Sequence, residues 1–386
     1  MRTTSSLRPR LLALAVLAAL GTQAQAAGFK AGEWDLTVGG FINAYYTHTN
    51  CGGSQAVTGL ALGAKALGCG GTDGRTVIGN GLLPNALITT AKTQQEGYDI
   101  SATIMIGAAV SSGDSISNNN NVDVRQGFMT FGNADLGTFK LGRDYGLFGA
   151  NAILSDMTLL GAGAPVNATQ QNRVTLGHIG AGYTYLGHYG QIAYTTPSLG
   201  GVTATFGLYS PVKDWTGASN YIAKNQPQVQ AHVEGKVGDG KLWAGLKHQA
   251  FVNSTNNADS FNMNGYEVGG SYQFGAFGLL ANFQTGKGIG VLADGDAANA
   301  KQRNALVQGT FQATPKVKLG LSWGQSKLKD GVGPALESNS NLTGGAYYGL
   351  TKSVTLVGEL SRTESKPFSG DKARMNGVAL GAILFF

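Results

Sequence analysis

Past residue 32, apolar residues recur at every second position, and this period limits what the chain can become. In residues 33–46 one parity reads Trp34, Leu36, Val38, Gly40, Ile42, Ala44 and Tyr46; the other reads Glu33, Asp35, Thr37, Gly39, Phe41, Asn43 and Tyr45. The pattern returns in residues 98–110 (Tyr98, Ile100, Ala102, Ile104, Ile106, Ala108, Val110) and in 316–323 (Val317, Leu319, Leu321, Trp323). A period of two puts neighbouring side chains on opposite faces, so these are strands with one apolar and one polar or small face. The connections alternate as well. Short turns lie at QEG (95–97), NADLG (133–137), PSLGG (197–201), VGDG (237–240), FGAF (274–277), TPK (314–316) and TKS (351–353). Between them run long polar stretches such as SSGDSISNNNN (111–121), NSTNNADS (253–260) and KDGVGPALESNSN (329–341). Seven short turns join strands 2–3 through 14–15, and the first and last strands bring the total to about sixteen.

A soluble β-sandwich would bury the apolar face in a core, yet here that face carries Trp34 and Tyr46 near strand ends, as interfacial girdles require. Only 13% of the residues are charged and 60 are glycine, little charge for a soluble chain of 386 residues. The N-terminus supplies the address. A basic head (Arg2, Arg8, Arg10), an apolar run LLALAVLAAL (11–20) and the small-x-small site Ala24-Gln25-Ala26 form a secretory signal, with cleavage expected between Ala26 and Ala27. The expected organisation is a signal peptide, 1–26, and one barrel domain, 27–386. No later stretch is long and apolar enough for a membrane helix. Loss of the three signal arginines leaves 25 basic against 22 acidic residues, 25 − 22 = +3, which is no nucleic-acid footprint. The expected fold is an all-β, 16-stranded antiparallel transmembrane β-barrel. Cys51 and Cys69, delivered to an oxidising compartment inside a glycine-rich segment, are expected to form a disulfide.

At residues 124–157, VRQGFMTFGNADLGTFKLGRDYGLFGANAILSDM, the sequence resembles the trimeric general porins of Gram-negative outer membranes. The shared features are a strand opening on a basic residue, an Ala-Asp-Leu-Gly turn, a strand ending in Gly-Arg, and a long loop with an Asp-Met pair. The terminal Phe386, after the alternating GVALGAILFF, is a second mark of that family, read there by the outer-membrane insertion machinery; Leu384 stands where an aromatic is common. The resemblance implies a homotrimer among outer-membrane lipids and lipopolysaccharide, with no cofactor. It also implies passive diffusion of small hydrophilic solutes and an inward-folded third loop, about residues 144–188. A substrate-specific porin for a sugar or small anion is the alternative, since Phe41, Tyr45, Tyr209 and Tyr347 have lumen parity.

Carried over by motif, Asp156 matches the acid of the constricting loop and Arg125 a wall arginine, while His178 in GHIGAGYTY stands where a further wall arginine would be. The second loop acid falls at about Leu160 and is missing, and no basic counterpart is found in TVGGFINAYY or NALITTAK. Lys140 and Asp144 complete the expected constriction set; Lys247 and Lys318 share lumen parity, balanced by Asp35, Asp99, Glu267 and Glu359. Arg125 and Asp156 also read as ordinary solvated charges. The expected selectivity is weak, leaning to anions. Arg143, two residues beyond the outward Phe139 and Leu141, is expected to point outward into a subunit contact with an acid such as Asp114. No catalytic set is found. GAGAPV (161–166) fails the dinucleotide fingerprint, Gly286-Lys287 lacks the rest of a phosphate loop, and the five histidines have no metal-ligand spacing.

Overall fold

The computed structural model describes residues 26–110, 122–166, 174–214, 220–329 and 336–386. Its β-segments are β1 (Ala27–Ala31), β2 (Trp34–Gly53), β3 (Gly74–Gly79), β4 (Asn85–Gln95), β5 (Tyr98–Ala108), β6 (Val122–Asn133), β7 (Gly137–Tyr145), β8 (His188–Thr195), β9 (Val202–Tyr209) and β10 (Tyr221–Ala223). They continue with β11 (Gln228–Val237), β12 (Gly240–Asn253), β13 (Ser260–Phe274), β14 (Phe277–Lys287), β15 (Lys301–Thr314), β16 (Val317–Leu328), β17 (Leu336–Gly349), β18 (Val354–Pro367) and β19 (Ala373–Phe385). The helical pieces are short: α1 (Lys65–Gly68), α2 (Ala150–Ser155) and a 3-10 turn, Met157–Leu160.

Each segment pairs antiparallel with its neighbour, and β19 pairs with β2 to close the ring. Three wall positions are shared by two segments each. β3 and β4 both pair with β2, β10 and β11 both pair with β12, and β1 continues the row that β19 ends. The barrel therefore has sixteen strands. At its seam Phe385 lies opposite Phe41, and the Gly40 amide donates to the Phe386 carbonyl at 2.9 Å. All seven short turns read from the sequence join the strands expected of them, and an eighth, at Gly32 and Glu33, joins β1 to β2.

The burial pattern is the reverse of a soluble protein's. Outward positions carry exposed Leu360 (67%), Ile78 (66%) and Leu242 (57%), whereas Gln228, Gln230, Gln284 and Thr343 are fully buried inside. Hydrocarbon solvates the first set and cannot solvate the second, so parity sorts the two faces. Ring pairs near the short turns, Phe277–Phe311 at 4.6 Å and Tyr272–Phe274 at 4.4 Å, form an aromatic girdle at that end.

Among the described residues, the first and sixth loops enter the barrel as well as the third. The third loop spans residues 146–187, two residues later at its start than its sequence suggested, because Asp144 and Tyr145 still belong to β7. The first loop (54–73) and the sixth (288–300) fold in beside it. Leu62, Leu82, Leu176, Ile179, Tyr183, Val291 and Leu292 from these loops and their flanks make one buried apolar cluster inside the lumen. Contact there is close: a Cβ on Gly180, whose φ is +76°, would stand 2.3 Å from Leu292 Cδ2.

Cys51 and Cys69 are bonded, 18 residues apart, and clip the first loop against β2. Closing a loop of that length stabilises by about 3 kcal/mol in the chain-entropy description. Replacing both cysteines by serine should therefore lower the unfolding free energy, read from urea titration in detergent, by that order. An unchanged midpoint would mean that packing of the first loop suffices without the bond.

Candidate functional site

A cavity of about 500 Å³ remains between the loops and the wall formed by β6–β9 and β11. Its wall side is polar and begins with a fault in the ladder. Met105 pairs with Gln126, but the next pair is Gly107 with Asp123, so Val124 and Arg125 together face the single residue Ile106. This bulge changes parity and brings Arg125 and Gln126, adjacent in sequence, both to the lumen face. Arg125 Nε donates to Asp123 Oδ2 at 2.7 Å, and its Nη1 reaches the Tyr185 hydroxyl of the third loop at 3.3 Å. One strand further, Asp144 accepts from Lys140 Nζ at 2.5 Å and from Gln126 Nε2 at 2.7 Å.

The loop side is mostly apolar, with Asn151, Tyr185 and Asp294 its polar groups. Leu154, Leu159, Leu176, Ile179 and Leu292 face the cavity with Leu83. Asp156, the sole carboxylate in residues 146–187, is not among the lining residues. Its side chain is fully buried within the loop, accepting from the Tyr183 hydroxyl at 2.7 Å and from the Thr158 amide and hydroxyl at 2.8 Å each. His178 Nδ1 lies 3.2 Å away. Burial alone would push the Asp156 carboxyl up, but the charge of His178 and the hydrogen bonds from His178, Tyr183 and Thr158 bring it below its ordinary value. Asp156 thus stands away from the expected place facing the ions; it caps the 3-10 turn and fixes the loop. His178 is corrected too. It belongs to the loop and not to the wall, because the glycines of GHIGAGYTY fold that run into a tight turn, with Ala181 N donating to His178 O at 3.0 Å. Ser322 Oγ of β16 approaches His178 Nε2 at 3.3 Å, so Ser322, His178 and Asp156 are connected as a hydrolase triad is. All three are buried from any substrate, and the chain of contacts serves as a fastener.

Other wall side chains hold the loops by their backbone. Gln230 Oε1 accepts from the amides of Leu147 and Phe148 at 2.7 and 3.0 Å, and Gln284 Oε1 from Thr184 at 3.0 Å. Gln308 Oε1 accepts from Met157 at 2.6 Å. Glu359 Oε2 takes Ala162 and Gly163, both at 2.8 Å, while its Oε1 takes the Tyr347 hydroxyl at 2.7 Å. The Tyr45 hydroxyl donates to the Leu160 carbonyl. Tyr45 and Tyr347 therefore spend their hydroxyls on positioning, and Tyr209 is buried against Tyr189. Asn151 of α2 donates to Glu234 at 3.0 Å and accepts from Lys241 at 2.7 Å, with His232 at 2.9 Å. The sixth loop is tied down by Asp294, which pairs with Lys247 and accepts from Tyr189 and Gln228 at 2.9 Å each.

Around the cavity each acid has its own cation: Asp123 with Arg125, Asp144 with Lys140, Glu234 with Lys241, Asp294 with Lys247. Nearer the short turns, Lys92, Lys236 and Lys318 share the lumen face and make no ion pair among the described residues. Lys92 ends the segment NALITTAK, in which the sequence showed no basic wall residue. Its signal was the register, since it shares the face of Asp35, Thr37 and Phe41. Asp294 and the wall amides also escaped notice, because nothing in the sixth loop marks it as folded inward. Arg143 points outward and donates from Nε to the Val124 carbonyl at 3.1 Å; Asp114 lies outside the described residues.

The sequence matches the model of the Gram-negative porin family over residues 12–367. No curated protein matches it. Among solved structures, the outer membrane channel DcaP of Acinetobacter baumannii is similar with a TM-score of 0.69 at 17% identity, covering 93% of this chain and 100% of that one. The anion-selective porin from Comamonas acidovorans follows with 0.65 and 16%, covering 92% and 100%. OmpF of Salmonella typhi gives 0.59 and 15%, covering 92% and 100%. At these identities the likeness is one of fold.

Two outcomes follow from how the third loop is held. Glu359→Ala strands two amides and a hydroxyl, a loss of about 2–4 kcal/mol, and single-channel records should become noisier and larger in conductance. A quiet, unchanged trace would show that the loop is held elsewhere. Because the Asp156 pKa is depressed, its stabilisation is complete above the unfolded carboxylate value of about 4 and is lost as pH falls through the lower, folded value. The difference in channel noise between the unaltered protein and Asp156→Asn should therefore persist from neutral pH down to about 4 and fade only below it; a difference already gone at about pH 6 would contradict this.

Proposed function

Because the chain belongs to the Gram-negative porin family, whose members are non-catalytic channels of the outer membrane, we propose that it passes small hydrophilic solutes and ions by diffusion with weak charge selectivity. The observation that carries this reading is the cavity itself, open between a polar wall and an apolar loop face, with its carboxylates already neutralised by adjacent cations. A paired charge presents a short dipole to a passing ion, whereas opposed unpaired rows would present a transverse field. Lys92, Lys236 and Lys318 against Asp99, with Asp35 paired to Lys30, leave a small positive excess toward the periplasmic exit, which supports a lean to anions. The anion selectivity of the similar Comamonas acidovorans porin is compatible with it.

The apolar loop face supports a second reading, a channel favouring solutes with an apolar body and one anionic end. A sugar slide is less well supported, since Tyr45 and Tyr347 are occupied within the protein. Planar-bilayer recording separates these readings. A salt gradient should give a small reversal potential of anion sign, and Arg125→Ala, which removes the cation beside Asp123, should move it toward cations. Block of the current by a small carboxylate at low concentration would favour the second reading, and strong cation preference in the unaltered protein would refute both.

The chain is further proposed to lose its signal between Ala26 and Ala27 and to assemble as a homotrimer, in which outward-facing Arg143 meets a neighbouring subunit at an acid such as Asp114. Arg143→Ala should then lower the temperature at which the oligomer dissociates on gels and leave the reversal potential unchanged. A shifted reversal potential with an intact oligomer would place Arg143 in the pore instead.

A further inference from the structure

Down the wall of the cavity the charges alternate in sign. β6 descends from the long-loop end through Asp123, Arg125 and Gln126, while β7 rises beside it with Lys140 opposite Thr130 and Arg143 opposite Gly127. The bond from Gln126 Nε2 to Asp144 Oδ1, 2.7 Å, sets Asp144 at the level of Gln126. From the long-loop end the order is therefore Asp123, Arg125, Asp144, Lys140, and all four line the cavity. Arg125 Nε lies 2.7 Å from Asp123, and Lys140 Nζ lies 2.5 Å from Asp144.

The cavity as a whole has almost no net charge. Its acids are Asp123, Asp144, Glu234 and Asp294; its cations are Arg125, Lys140 and Lys213, with Lys241 and Lys247 behind Glu234 and Asp294, so 5 − 4 = +1. A charge entering such a confined space loses water and must find a partner there. A solute with one charge meets its own sign beside that partner: a carboxylate at Arg125 stands next to Asp123, and an ammonium at Asp144 stands next to Lys140. A solute carrying both signs on neighbouring atoms offers each member of a pair its opposite.

One wall group at this level is still without a partner. His188 pairs with Tyr145 across β7 and β8, and its ring stands edge-on to Tyr145 at 6.5 Å and to Tyr185 at 6.1 Å. Its buried Nδ1 makes no hydrogen bond among the described residues, although the ring lines the cavity near Arg125. A buried ring nitrogen of this kind is ready to donate to a carboxylate held by Arg125. Across the cavity Leu154, Leu159, Leu176, Ile179 and Leu292 offer an apolar surface. We infer that the cavity is a saturable site for zwitterions with an apolar side chain, of which the aliphatic α-amino acids are the simplest class. The carboxylate lies on Arg125 and His188, the ammonium on Asp123, and the side chain against the leucines of the third and sixth loops. Asp144 and Lys140 repeat the pair one step lower and give the solute a second station toward the periplasm. Such a site presupposes that solutes diffuse through this cavity, as proposed above, and asks for both signs where the second reading asks for one.

The test is planar-bilayer recording of the unaltered protein in potassium chloride at neutral pH. The probes are leucine; isocaproate and isopentylamine, which keep its body and one charge each; and alanine, which keeps both charges and loses the body. Leucine should block the ionic current at the lowest concentration, about tenfold below isocaproate and isopentylamine and about tenfold below alanine. Asp123→Asn, which leaves Arg125 charged beside a neutral amide, should invert the order of leucine and isocaproate. His188→Phe, which keeps a ring and removes the nitrogen, should weaken block by leucine about fivefold. Block by isocaproate equal to that by leucine would overturn the inference in favour of a single anionic end. Equal block by alanine, or an unchanged order in Asp123→Asn, would overturn it as well. Ion current without block by any probe would remove the site and leave diffusion standing, whereas no ion current at all would remove both.

Discussion

No water reaches the hydrocarbon layer, so every backbone amide and carbonyl there must find its partner within the protein, and the rest of the structure depends on that requirement. An open sheet would leave two unpaired edges, each exposed amide costing several kcal/mol. Pairing β19 with β2 removes both edges. The closure is completed by the chain ends, since β1 extends the row past Phe386 and pairs with residues of β2 that β19 does not reach. With the backbone satisfied, outward side chains need only be apolar, and a chain with so few charges can meet that condition.

The same requirement returns inside the barrel in milder form. Three loops that leave the wall and pack together take their own amides out of water, and most have no ladder to join. The lumen face supplies acceptors one at a time: Gln230, Gln284, Gln308, Glu359, Asn43 and Asn339 each receive a loop amide. These buried polar side chains look wasteful on a channel wall until the loops are considered. They fix where the loops stand, and the apolar cluster formed by those loops fixes the width that remains. Cohesion thus comes from Leu62, Leu176, Ile179 and Leu292, and position comes from the wall amides.

The wall was legible in the sequence and the lumen only in part, for a physical reason. Strand parity and turn chemistry are local, so sixteen strands, seven turns, the outward Arg143 and the inward Tyr45 could all be read from neighbouring residues. A bulge changes parity at one residue, and only the pairing of Met105 with Gln126 shows that Arg125 and Gln126 share a face. His178 misled because alternation in GHIGAGYTY resembles a strand, while its glycines adopt turns that only the packed loop requires. Inward folding of the first and sixth loops was not legible at all, because it depends on contacts such as Leu62 and Leu292 around Gly180, which are distant in sequence.

The arrangement of charge in the lumen follows from that architecture. A carboxylate on a loop that packs against the wall is desolvated, and it is retained only with partners; Asp156 has His178, Tyr183 and Thr158. The third loop therefore offers the lumen apolar side chains, Asn151 and the Tyr185 hydroxyl, and ionic character falls to the wall and to Asp294 of the sixth loop. There the acids sit beside lysine or arginine at 2.5–2.7 Å in the Asp144 and Asp123 pairs, close enough that their fields cancel within a few ångströms. Packing the third loop tightly enough to narrow the lumen has drawn its one acid, Asp156, away from the cavity surface.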